Sequence, residues 1–87
     1  MSRWCDATPL VFKDRGFRFH FFSFEGSPRE PVHIHVKGNG SDAKFWVGDE
    51  IELAYNRGLN SRDLAIVVLI IRARRTEIQE AWHGHFC

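Results

Sequence analysis

Cysteine and long apolar runs are both scarce in this sequence, and each scarcity excludes a class of protein. Only Cys5 and Cys87 occur, almost at opposite ends and without metal or redox spacing, which rules out a disulfide-stapled scaffold and a cysteine zinc site. Reduced thiols are the expectation; a terminus-to-terminus disulfide is the one pairing open to them. The longest apolar run, residues 64–71, falls far short of the roughly 20 residues of a membrane span. Residues 1–6 carry no signal-peptide core, so a soluble, cytoplasmic protein with no membrane partner is expected. Excess charge is missing too. Twelve Lys plus Arg against eleven Asp plus Glu leave a net +1, and no global field draws the chain to nucleic acid or lipid. Any electrostatic partner must meet a local patch. Lysine itself is sparse, so the cations are mostly arginine, whose planar fork suits phosphate, carboxylate and aromatic contacts.

Aromatic residues are abundant: eight Phe, three Trp and one Tyr in 87 residues. Bulky side chains of this kind are enriched in strands, and a chain of this length makes one domain with one core. The expected architecture is α+β: an antiparallel, meander-like sheet of four to five strands over residues 10–55, after an N-terminal arm (1–9). One long C-terminal helix (60–84) should pack on one sheet face. Residues 10–12 form a short apolar run that ends in the charged turn 13–16. Residues 17–24 alternate Phe17, Phe19 and Phe21 against Arg18, His20, Phe22 and Phe24, as a central strand would. Proline and glycine mark 25–31 as a loop. A turn at Gly38, Asn39 and Gly40 leads to a strand at 43–47. Gly48 and Asp49 then lead into the alternating, half-exposed strand that begins at Glu50.

From residue 60 the period changes. Asn60 or Ser61 can cap a helix, Asp63 suits its first turn, and Leu64, Val67, Val68, Ile71, Ile78 and Trp82 make a helical stripe that Gly84 would stop. Its first turns are apolar nearly all round. The side left over, including Ile66 and Ile70, predicts a homodimer through this helix, or cover by Trp4 and Leu10.

The stretch 31–36 is the most telling. On a strand, Val32, Ile34 and Val36 would face a core, while His33 and His35 stand together on the other face. Two imidazoles about 6 to 7 Å apart at Cα are workable ligands for a first-row metal, yet catalytic zinc usually takes three protein ligands. No cofactor is favoured. Zinc or another divalent cation would take His33, His35 and a third ligand: His20 from a neighbouring strand, Glu25 or Asp42 from loops, or His83 or His85 from the tail. Without a metal, the same pair can divide proton abstraction and donation in phosphodiester cleavage, because imidazole titrates near pH 6.5. Arg18 and Lys37 would then hold phosphate, and Lys44 with Trp46 would suit an RNA backbone and a stacked base. A histidine-triad nucleotide hydrolase also alternates histidines, but here the third alternate position is Lys37 and the match stops. Arg72, Arg74 and Arg75 form a helical cationic cluster. They suit a solvated face with local ion pairs, or a docking patch in which Arg72 and Arg75 bind an acidic partner.

The phenylalanine-rich strand ending in Ser23, Phe24 and Glu25, the stretch from Pro31 through His33, Ile34, His35 and Val36, the run Ala43, Lys44, Phe45 and Trp46, and a terminal helix carrying Trp82 with Phe86 close behind recur in this order elsewhere. Together they resemble the short prokaryotic proteins of domain-of-unknown-function family 4160. The resemblance spans roughly residues 17–86. It implies no established activity; it does imply a neighbourhood similar to toxin–antitoxin pairs, hence an interaction protein whose partner is RNA or a cognate small protein. His83, Gly84 and His85 depart from the usual acidic and aromatic ending. The alternative is a ribonuclease-like phosphodiesterase, with or without a metal, centred on His33 and His35 with His20 nearby.

Overall fold

The computed structural model describes residues 10–21 and 31–85. Trp4, Cys5, the end of the phenylalanine strand (22–24), Glu25 and Cys87, with the side chain of His85, lie outside the described residues. Five strands, β1 (Leu10–Asp14), β2 (Phe17–His20), β3 (His33–Gly38), β4 (Ser41–Val47) and β5 (Ile51–Arg57), form one sheet in sequential order, every neighbouring pair antiparallel. Two tight turns set the registers. Arg15 and Gly16 have φ of 52° and 84°, and Asn39 and Gly40 of 52° and 73°. Positive φ at both central residues is the type I′ geometry, whose twist matches that of the flanking strands.

The expected helix is present as two. After Asn60, whose side chain accepts from the Asp63 amide at 2.8 Å, α1 runs Ser61–Ala73; α2 then runs Arg75–His85. Arg74 between them has φ −112° and ψ 23°, outside the helical well. A straight helix over residues 60–84 would be about 37 Å long, whereas a seven-residue strand reaches only about 23 Å. The break keeps the second half on the sheet: α1 packs on β5 and α2 on β4. Arg75 Nη1 donates to the carbonyls of Asp49 (2.9 Å) and Gly48 (3.3 Å), and Gln79 Nε2 to that of Val47 (3.0 Å), strapping α2 to the β4–β5 turn. Gly84 lies inside α2 rather than stopping it.

The core lies between the helices and the sheet face carrying Phe17, Phe19, Phe21, Ile34, Val36, Ala43, Phe45 and Val47. Val67, Ile70, Ile71, Ile78 and Trp82 fill it from the helices. Strand alternation places these sheet residues together, and the helical stripe read from the sequence supplies the lid. Val32 is half-buried at the margin, and Trp82 is the anchor its position suggested. Ile70 is buried within the monomer; the large apolar side chain that α1 leaves in solvent is Leu69, 63% exposed.

Candidate functional site

The opposite sheet face carries the polar chemistry, and pairing register sorts it into three rows. The middle row is Leu10, His20, His35, Lys44 and Tyr55, one residue from each strand. On one side of it lie His33, Trp46 and Glu52. On the other side lie Lys13, Arg18, Lys37, Asp42 and Arg57, again one from each strand.

The histidines form a chain of packed rings. His20 stacks on His35 at 5.7 Å between centroids, and His35 meets His33 edge-on at 5.4 Å. His33 is walled by two indoles, Trp46 at 5.4 Å and Trp82 at 4.7 Å; Trp82 also meets Phe21 edge-on at 5.3 Å, so one helix residue closes the sheet end from both faces. The tautomer of His33 follows from its partner. Its Nδ1 lies 3.0 Å from the Pro31 carbonyl oxygen, which can only accept, so the proton sits on Nδ1. Tyr55 Oη is 3.5 Å from His35 Nδ1, the outer limit of a hydrogen bond.

Although both histidines stand on the sheet face away from the helical core, neither ring meets solvent. His33 is 0% exposed and His35 2%, as withdrawn as the core phenylalanines. Among the candidate third members, His20 reaches the pair through His35, while His83 is exposed on α2. Among the described residues, no three His, Cys, Asp or Glu side chains are grouped to hold a metal ion.

Burial also sets the protonation of His20. Desolvation, and after it the charge of His35, hold its pKa below the usual 6.5; Lys37 acts the same way and Asp42 opposes. With the folded value below the unfolded one, the unfolded chain takes up the proton first as pH falls. The His20 contribution to stability is therefore complete above about pH 6.5 and is lost as pH drops through the folded value. Urea unfolding between about pH 5 and 8 should give a stability that declines toward acid, and His20→Gln should flatten the decline. Identical pH profiles for the two proteins would contradict this assignment.

The cations of the third row are exposed: Lys13, Arg18, Lys37 and Arg57 all reach solvent. Lys13 stands directly opposite Arg18, and Arg18 directly opposite Lys37. Among the described residues no carboxylate forms an ion pair with Lys13, Arg18 or Lys37, although Asp42 neighbours Lys37 in register. Like charges placed opposite each other across strands are destabilising. Arg18 and Lys37 thus share one surface through the β2–β3 register. Lys44 instead lies over the Trp46 ring at 4.5 Å, which occupies the indole face that a base would stack on. Arg72 is exposed on the helical side and Arg75 is bound to the β4–β5 turn, so neither joins Arg18 and Lys37. Arg74, between them, lies over the Phe12 ring at 4.1 Å and 3.7 Å from both Asp14 and Glu77.

Sequence reasoning passed over Lys13, Arg57 and Tyr55. A usable signal existed for the first: a two-residue turn at Arg15 and Gly16 pairs Lys13 with Arg18 by counting outward. Arg57, 4.8 Å over the Tyr55 ring, needed the β4–β5 register, which slips at Lys44 and Phe45.

Comparison with known families gives one match: the family described as a domain of unknown function (DUF4160), over residues 16–83. No curated protein and no solved structure matches. No helix among the described residues is long and apolar enough to cross a membrane.

Proposed function

The chain belongs to the DUF4160 family, and from that premise we propose that it is an RNA-binding component of a two-protein module of the toxin–antitoxin kind. One observation carries the RNA reading. Three adjacent strands place Lys13, Arg18 and Lys37 side by side, exposed and without a carboxylate partner among the described residues, at a cost that an external anion would remove. A polyanion is suited to such a row, since successive phosphates can meet successive strands. The module reading rests on the family's resemblance to toxin–antitoxin pairs, and co-purification with the product of the neighbouring gene tests it. A second copy of the chain, docked on Leu69 of α1, belongs to the same reading.

The RNA reading is tested by fluorescence anisotropy with a single-stranded oligoribonucleotide at several salt concentrations. The paired substitution Arg18→Glu, Lys37→Glu should weaken binding by about tenfold or more and reduce the salt slope by about two. Unchanged affinity and slope would overturn the reading. Cleavage by His33 and His35 is the second reading, favoured by the contact of these two rings with each other and with His20. It ranks below binding because both rings are withdrawn from solvent, and a scissile phosphate must touch the group that moves its proton.

A further inference from the structure

The cationic row ends in a concavity that the RNA reading does not by itself require. Where the β1–β2 and β3–β4 turns lie side by side, a cleft of about 470 Å³ is lined by Lys13, Arg15, Arg18 and Lys37, together with Gly16, Gly38 and Asn39. The close approach of the two turns depends on glycine. A Cβ on Gly38 would sit 2.7 Å from Phe17 Cδ1 and 2.8 Å from the Gly16 carbonyl oxygen. Four cations line this one open cleft. The acid in the lining, Asp14, lies with a carboxylate oxygen 3.7 Å from Arg74, which draws its charge toward the helices. Among the described residues none of the four cations forms an ion pair.

We infer that this cleft binds a phosphomonoester, and specifically the terminal phosphate of the RNA strand lying along the row. The inference rests on the RNA reading and deepens it. Three features favour a chain end over an internal segment. The volume falls in the range of small-ligand sites, about 300–1,000 Å³, on the scale of a single nucleotide unit. A phosphomonoester carries about −1.5 to −2 at neutral pH, against −1 for each diester, and so balances a four-cation cluster better. The row runs from strand to strand, and the cleft lies over its β1 end, where the sheet stops and a strand of RNA along the row would terminate.

The test uses the intact chain and one oligoribonucleotide sequence prepared with a 5′-phosphate, a 3′-phosphate or hydroxyl ends, with anisotropy as the readout. One phosphorylated form should bind about tenfold tighter than the hydroxyl form. Which one it is identifies the end. Arg15→Gln should abolish that preference while leaving binding of the hydroxyl form within about twofold, and inorganic phosphate should compete away the preference alone. The substitution removes a like charge from a crowded cleft, so thermal melts should show the variant at least as stable as the parent. Equal affinity for all three forms, with the Arg18 and Lys37 effect intact, overturns the cleft and leaves the RNA reading standing. If no RNA form binds, the RNA reading falls and the terminal assignment with it.

Discussion

Phe19→Ala should leave this protein barely folded. Phe19 is fully buried in the central part of the core, stacks on Phe12 at 4.6 Å with the rings 23° apart, and stands opposite Val36 in the β2–β3 register. Truncating such a ring removes its transfer free energy and opens a cavity that strands on either side cannot close. Losses of about 3–5 kcal/mol are usual for Phe→Ala. Domains have about 5–15 kcal/mol to lose, and one of this length sits toward the low end. Urea denaturation followed by far-UV circular dichroism should show the midpoint collapse or the folded baseline disappear. A loss under about 1 kcal/mol would mean that the core does not close on this ring.

Gly38→Ala should be nearly as damaging for a different reason. The backbone at Gly38 does not require positive φ, so the cost is steric. The added methyl would lie 2.7 Å from Phe17 Cδ1, 2.8 Å from the Gly16 carbonyl oxygen and 3.2 Å from Phe17 Cα. Two of those three contacts are backbone, which cannot rotate aside as a side-chain end can. Phe17 is itself in the core, so the hairpins must part or the ring must leave its seat. Overpacking costs about 1–3 kcal/mol, occasionally more, and this site belongs at the upper end. In a domain of this size that corresponds to a fall in Tm on the order of 10 °C or more. Gly48→Ala is the control, because a Cβ there meets nothing within 4 Å. Equal melting of the Gly38 and Gly48 variants would refute the close approach of the two turns, and the cleft built on it.

Much of the architecture was legible in the sequence because local rules carried it. Period-two alternation around Phe17, Phe19 and Phe21, and around Ile34 and Val36, identified both strands and the face each turns to the core. The stripe from Val67 through Ile71 and Ile78 to Trp82 identified the lid, and Asn60 its start. What failed did so where a local rule had no access to neighbours. The stripe is continuous across Arg74, so nothing in its period announces a break; the length of the sheet does. Gly84 reads as a stop signal, yet a glycine inside a last turn is tolerated when packing and the Gln79 and Arg75 straps hold the helix.

The candidate site divides the same way. That His33, His35 and Lys37 share a face of their strand, and that Arg18 shares one with His20, follows from the pleat and was determined by the sequence alone. Their burial was not, because exposure depends on what covers a face: Trp82 arrives from the other end of the chain, and Trp46 and Tyr55 from strands paired across turns. The crowding of Lys13, Arg18 and Lys37 was likewise a matter of register, since residues far apart in the chain become neighbours only when strands pair. The sequence by itself determined which side chains stand on each face of each strand. Only the tertiary structure decided which of them meet, because strand direction is a local property of the backbone and adjacency is a property of the assembled sheet.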